Sequence, residues 1–271
     1  MIELPAFVRL TSRALIDVSG PDWRGFLQGL ITQDVETLAP GELRFAALLT
    51  PQGRVLYDMF VLGTDDGCLL DVESATRADL MQRLMLYRLR AKVVITAEEG
   101  AVFATWTADP GPGWIVDPRA PALGRRSYGA AVEATLTQHD YDVHRLSHGV
   151  PGPADWGHDK TYPIEANFDL LNGIDFQKGC FVGQETTSRM KRRGAIKSRM
   201  RTIEFGGDPP PAGAEVLAGD LRAGVITSGA GGLAMALMRL DRIGGPLETE
   251  GRPVFLFTCA RELSDFPASS N

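Results

Sequence analysis

The sequence predicts a mixed α and β protein, class α+β, that ends in a small β-barrel. Glycine (30) and proline (17) make up 47 of the 271 residues, which favours a turn-rich chain with much β-structure. Up to about residue 150, strand-like runs alternate with three stretches of helical spacing. After about Lys197 only short strands remain, separated by Gly/Pro turns, the pattern of a small barrel.

Ser19-Gly20-Pro21-Asp22 reads as a helix start, followed by Trp23, Phe26, Leu27 and Leu30 at helical spacing. Arg44–Leu49 and Arg54–Leu62 read as strands around the turn Thr50-Pro51-Gln52-Gly53, with Cys68–Val72 as a third. Ala78–Arg90 is helical, with Leu80, Leu84 and Tyr87 on one stripe. Val93–Thr96, Val102–Thr107 and Trp114–Val116 read as strands, and Asp109–Gly113 and Asp117–Arg126 as breaks. A helix over Gln138–Ser147 stops at Gly149-Val150-Pro151. Residues 152–180 are loop-rich. The barrel strands are Met200–Phe205, Glu215–Ala218, Gly224–Thr227, Leu233–Met238 and Val254–Phe257, and residues 267–271 form a short polar end.

Hydrophobic content of 44% with 23% charged residues is that of a soluble globular protein. A net charge of −6 argues against non-specific coating of nucleic acid. The first residues hold a charge and a proline where a signal peptide needs an apolar run. The longest uncharged stretch, Ala223–Met238, has 16 residues and four glycines, too short and broken to span a bilayer. Cys68, Cys180 and Cys259 lie far apart with no CxxC pair, so neither a disulfide framework nor a complete zinc site is indicated. A reducing cytoplasm is the expected compartment.

Lys178-Gly179-Cys180-Phe181-Val182-Gly183-Gln184-Glu185 carries the most chemistry. Gly179 and Gly183 let the backbone turn tightly and let another molecule approach the sulfur. Lys178 would favour the thiolate, the form that attacks or binds metal. Cys180 is therefore the candidate working thiol and metal ligand, with Lys178, Gly179, Gly183, Gln184 and Glu185 around it. A buried structural cysteine is the plainer alternative. Downstream, Arg189, Lys191, Arg192, Arg193, Lys197, Arg199 and Arg201 put seven cations in thirteen residues without an acid. They form a local anion attractor or a solvated face of a β-hairpin. No aromatic side chain interleaves with them, so a single-strand RNA platform is not expected. Asp58 interrupts the apolar strand Leu56–Phe60, where a lone acid must pair, face a ligand or point to water. Glu165 and Glu185 are weaker candidates of the same kind. His144 and His148 have metal-ligand spacing, but no Glu follows His144 as a zincin requires.

The cysteine motif resembles the signature of the YgfZ family of folate-binding-like iron–sulfur cluster proteins, relatives of the aminomethyltransferase (T protein) of the glycine cleavage system. The likeness extends to Leu27–Val35, Ala46–Val55, Tyr87–Val93, Tyr162–Asn167 and Asn172–Ile174, spanning roughly residues 10 to 200. Tyr141–Arg145 with Gly149–Pro151 is similar to the mitochondrial iron–sulfur assembly branch. The resemblance implies a bilobed, T protein-like α+β region over residues 1–197 carrying the cysteine motif, then a β-barrel over 198–271. It implies an accessory role in maturation or repair of 4Fe–4S clusters, more an assembly factor than a true aminomethyltransferase. Cys180 would share a cluster with an A-type iron–sulfur carrier, and client 4Fe–4S enzymes would be further partners, with no membrane partner. It also implies a tetrahydrofolate-type site, for which Asp58, Glu165, Arg189, Arg192 and Arg193 are the candidate binding residues. The chain departs there: a pterin-reading Glu of the T protein is replaced by Ser147. The rival expectations are a tetrahydrofolate-dependent one-carbon transferase and a tRNA-modification accessory protein.

Overall fold

A computed structural model of the chain describes residues 5–129, 132–194 and 196–258. In chain order the elements are β1 (Val8–Arg9), β2 (Arg13–Ser19), α1 (Trp23–Gln28), β3 (Leu43–Leu49), β4 (Val55–Gly63), β5 (Gly67–Glu73), α2 (Arg77–Arg88), β6 (Val94–Glu98), β7 (Phe103–Thr105), β8 (Ile115–Val116) and β9 (Arg125–Ser127). There follow α3 (Gln138–Ser147), α4 (Pro153–Trp156), α5 (Gln184–Arg193), β10 (Ser198–Glu204), β11 (Glu215–Ala218), β12 (Leu221–Ala230), β13 (Leu233–Arg239), β14 (Leu247–Thr249) and β15 (Arg252–Leu256). The described residues divide into two compact units. The first takes those within 1–138, 157–163 and 168–189, the second those within 139–156, 164–167 and 190–271. The chain crosses between the units several times, whereas the sequence suggested one boundary after Lys197.

The first unit is built on an antiparallel sheet ordered β3-β4-β5-β2-β6, with a smaller sheet ordered β1-β7-β9-β8. Strand alternation gives the large sheet two different faces. Ile16, Val18, Leu48, Met59, Val61 and Leu70 point to one face and pack with Trp23 and Leu27 of α1 and Leu80 and Leu84 of α2. The intervening residues Phe45, Asp58, Phe60 and Asp71 point to the other. There Arg13 bonds Asp58 at 2.9 Å and Asp71 at 2.6 Å, and Arg126 bonds Asp71 at 2.7 Å. Asp117 lies 2.8 Å from Arg119 and 3.5 Å from Arg126. The guanidinium of Arg126 stacks 3.9 Å from the centre of the Phe60 ring, an arrangement that favours a cation on an aromatic face. Burial alone would raise the pKa of Asp71 and Asp117. The neighbouring guanidinium groups outweigh it and hold both carboxyls below their usual range.

Helix α2 ends at Arg88, two residues before the expected stop. Leu89 adopts φ +45° and ψ −106°, and Ala91 N–H donates to Arg88 O at 2.8 Å. This is close to a type II′ turn, whose first central position belongs to glycine. A side chain there costs about 1–3 kcal/mol.

The second unit contains a closed barrel in the order β10-β13-β12-β11-β14-β15. The ladder closes where Ile203 and Glu204 meet Leu256 and Phe255. Ile203, Val216, Ile226, Ala234, Ala236 and Met238 fill it, small side chains alternating with large ones. All five expected strands are present. The sixth, β14, has only three residues, too few for alternation to reveal. Two expectations are corrected. Arg125–Ser127 forms a strand rather than a break, because Arg126 is buried among acids. The cationic run forms helix α5 and then β10, not a hairpin. Lys191–Arg193 occupy the last turn of α5, where cations complement the helix dipole, and Gly194 follows with φ +62°.

Candidate functional site

Cys180 is exposed, while Cys68 is buried and its thiol pKa is pushed up mainly by that burial. Cys259 lies outside the described residues. The buried alternative for Cys180 is thereby corrected: Gly179 before it has no side chain to cover the sulfur, and the burial falls instead on Phe181 after it. The exposed sulfur sits on a loop held from both sides. Asp175 accepts hydrogen bonds from the backbone N–H of Gln177 (2.7 Å) and Lys178 (3.1 Å). The Lys178 ammonium donates to Ile31 O at 2.8 Å and Gln33 O at 2.7 Å. Val182 N–H donates to Gly29 O at 3.2 Å, and Asp175 N–H to Thr32 O at 2.9 Å. The segment Gly29–Gln33, at the exit of α1, is thus the platform of the cysteine loop.

Lys178 was expected to act on the thiol. Its ammonium also pins the loop to two carbonyl oxygens, and burial brings its pKa down to about 8 against the pull of Asp34, Asp175 and Glu36. The two glycines have different reasons. Gly183 has φ +80°, and a Cβ there would lie 2.6 Å from Thr50 O and 2.9 Å from Gly53 Cα. Gly183 is therefore fixed by the tip of the β3–β4 hairpin. Gly179 has open space around it, so its lack of a side chain leaves approach to Cys180 free. Gln184 and Glu185 begin α5, with Glu185 exposed in the first turn, where a carboxylate suits the helix dipole. Thr187 buries the opposite side of this helix.

Sequence reasoning did not single out the network behind the platform. Asp34 accepts from Gln28 (2.7 Å), Arg44 (3.0 Å) and the Thr37 hydroxyl. Desolvation opposes ionisation of Asp34, but these bonds hold its carboxyl far below the usual range. Thr32 donates to Gly173 O at 2.6 Å and accepts from Ala47 N–H at 2.8 Å. The signal was present in the run Leu27–Val35, whose polar residues fall in an otherwise apolar segment.

The expected ligand-binding residues are divided between the two units, Asp58 and Arg189 in the first and Glu165, Arg192 and Arg193 in the second. Asp58 is 4% exposed and paired with Arg13, so the reading in which it points to water is corrected. Glu165 belongs to the second unit and its carbonyl accepts Met200 N–H at 2.8 Å. Arg189, Arg192 and Arg193 are exposed on α5, while Arg199 is buried and donates to Ile164 O and Asn167. Ser147 donates to His144 O at 2.7 Å and meets His148 Nδ1 at 3.1 Å. His148 Nδ1 also lies 2.9 Å from His144 O, so that ring nitrogen is directed to its own helix rather than to a metal. Among the described residues no group of three His, Cys, Asp or Glu side chains is placed to hold a metal ion.

Residues 197–259 match the family model described as the CAF17 C-terminal β-barrel domain. The human iron–sulfur cluster assembly factor IBA57, mitochondrial, is 32% identical over 93% of this chain and 83% of its own length. The chain belongs to the IBA57 family. The IBA57 homologue of Mycosarcoma maydis is 33% identical over 75% of this chain, and that of Neurospora crassa 34% over 71%. The chain spans only 59% and 52% of the length of these two fungal relatives. All three IBA57 proteins are designated mitochondrial, which overturns the expectation of a cytoplasmic protein. In fold, the chain is similar to the crystal structure of the glycine cleavage system aminomethyltransferase T from Bartonella henselae. The TM-score is 0.75, with 17% identity, over 94% of this chain and 85% of the other. The α+β region followed by a barrel is thus the aminomethyltransferase T fold, within which this IBA57-family chain displays its cysteine loop.

Proposed function

We propose that this chain acts in maturation or repair of iron–sulfur clusters and that Cys180 is its working thiol. The observation that carries the reading is an exposed sulfur on a loop pinned at Asp175, Lys178 and Val182, in a member of the IBA57 family. The kinship to the YgfZ family belongs to the same reading. A thiolate is a soft ligand suited to iron. After the thiol proton leaves to solvent, the Cys180 sulfur would replace one ligand on an iron of a cluster held by another protein, with no change in oxidation state. Such clusters normally take four ligands and Cys180 supplies one, so a partner must supply the rest. We assign that role to an A-type iron–sulfur carrier, with 4Fe–4S enzymes as recipients.

Anaerobic mixing with the cluster-loaded carrier, followed by visible absorption, tests this. Cys180→Ser should fold as the parent yet lose the shared-cluster absorption, since an alcohol is a poor ligand for iron. Cys68→Ser should retain it. An unchanged spectrum in the Cys180 variant would sink the reading. The exposed cations of α5 support an anionic contact: replacing Arg192 and Arg193 by Ala is expected to weaken carrier binding and flatten its salt dependence. Identical salt profiles would return these side chains to their role at the helix end.

Tetrahydrofolate does not fit the residues present, and no step is assigned to it. Ser147 directs its hydroxyl to its own helix, and Asp58 is engaged by Arg13. Losing a hydrogen bond to a charged group costs about 1.5–3 kcal/mol, roughly 10- to 150-fold in affinity. Calorimetry against tetrahydrofolate is expected to show no low-micromolar binding and no aminomethyltransferase activity should accompany it. Tight binding would promote the one-carbon reading.

A further inference from the structure

In the first unit, a groove of about 640 Å³ lies where α1 meets the end of α2, with Phe26, Leu30, Tyr87 and Ala91 among its lining residues. The end of α2 exposes Leu86 (73%) and Leu89 (88%), and Leu89 lines the groove. Leu89 is held in this position by a turn that glycine would make more easily. The turn is braced. Lys92 N–H donates to the Asp22 carboxylate at 2.7 Å, and a Cβ on Gly20 would lie 2.5 Å from Lys92 O. A leucine displayed to water on a fixed, strained turn has no explanation in the packing of this chain. Strain of this kind gathers at ligand clamps.

Charge identifies the occupant. Arg88 and Arg90 line the groove, and no carboxylate among the described residues pairs with their side chains; the one acid of the lining, Asp22, is engaged by Lys92 N–H. This is a positive rim around an apolar cleft, on a chain whose net charge is −6. A lipid surface is flat and does not fill a concave groove, whereas a protein side chain does. The groove and the cysteine platform share one segment of chain. Leu30 lines the groove, while its neighbours Gly29 and Ile31 accept hydrogen bonds from Val182 and Lys178 of the cysteine loop.

We propose that this groove docks an acidic face of a partner protein, which inserts apolar side chains between α1 and the Leu86–Leu89 ridge. Resting on the function proposed above, the partner is the carrier that shares its cluster with Cys180. Docking through the groove needs no cluster, and this separates the two proposals experimentally.

Parent, the double variant Leu86→Asp/Leu89→Asp, Leu89→Gly and Cys180→Ser are titrated calorimetrically with the cluster-free A-type carrier. The same proteins are co-sedimented with phosphatidylcholine/phosphatidylglycerol vesicles. The parent is expected to bind the cluster-free carrier, and Cys180→Ser to bind equally. The double variant should bind about tenfold more weakly or worse, since its new carboxylates repel an acidic face. Leu89→Gly relieves the turn and keeps the fold, so weaker binding there reports the lost anchor alone. Equal affinity of the parent and both leucine variants overturns the proposal, as does Leu89-dependent sedimentation with vesicles. If the parent ignores the cluster-free carrier yet gives the shared absorption with the loaded one, the groove proposal falls and the cysteine reading stands. If the leucine variants lose binding while Cys180→Ser keeps the absorption, the groove stands and the cysteine reading falls.

Discussion

Replacing Asp71 by asparagine is expected to destabilise the first unit by about 3–5 kcal/mol, the usual result of breaking a buried ion pair from one side. Asp71 accepts from Arg13 at 2.6 Å, from Arg126 at 2.7 Å and from the Tyr128 hydroxyl at 3.2 Å. Arg13, Arg119 and Arg126 face Asp58, Asp71 and Asp117, with Glu73 3.9 Å from Arg13, and Asp71 is the nearest carboxylate of both Arg13 and Arg126, so its removal takes the closest negative charge from two buried guanidinium groups. Asp58→Asn should cost less, because Asp58 pairs with Arg13 while Asp71 bridges two guanidinium groups. The pH dependence has a definite sign. Asp71 and Asp117 have folded pKa values below the unfolded value of 3.8. Their contribution is therefore complete above that value and is lost as pH falls through the lower, folded value. Urea denaturation of parent and Asp71→Asn at neutral pH and from pH 5 to 3 checks both statements. The variant should start lower and lose less on acidification. A variant as stable as the parent at neutral pH would show that the cluster contributes no net stability.

This cluster also marks the limit of what the sequence reveals. Asp58 is visible as an acid in an apolar strand, but its partner Arg13 lies 45 residues away. Arg126 falls in a stretch of prolines and charges that reads as a break, although its side chain is among the most buried in the chain. Local pattern carries no information about such distant pairing. Where pattern is local and periodic it suffices. Helix α3 has the bounds expected from its spacing and its Gly-Pro stop, and the turn of the β3–β4 hairpin is where Pro51 and Gly53 place it. Helix α5 was missed because it has no apolar stripe: among its residues only Thr187 is buried. At the site, the cysteine motif and the Leu27–Val35 segment were each legible. That one is the platform of the other depends on bonds between residues 29–33 and 175–182, which spacing does not encode.

The two glycines of the motif, alike in sequence, are expected to respond in opposite ways to alanine. At Gly183 an added methyl group meets backbone, 2.6 Å from Thr50 O and 2.9 Å from Gly53 Cα, and it does so at φ +80°. Neither neighbour can yield easily, because Gly53 itself has φ +86° and its own Cβ would lie 2.9 Å from Thr186 Cβ. Backbone strain and overpacking together should cost roughly 2–4 kcal/mol. Because Gly183 and Val182 tie the cysteine loop to the hairpin and to Gly29, the loop should also lose its fixed position. At Gly179 nothing lies within reach of the added methyl group, and stability should change by less than about 0.5 kcal/mol. The methyl group would instead stand beside the exposed sulfur, so any effect should appear in the rate at which a thiol-specific reagent or a cluster-loaded carrier reaches Cys180. Melting temperatures and thiol-labelling rates of Gly179→Ala and Gly183→Ala separate the two roles. Equal loss of stability in both would mean that the loop, not the space beside the thiol, accounts for both glycines.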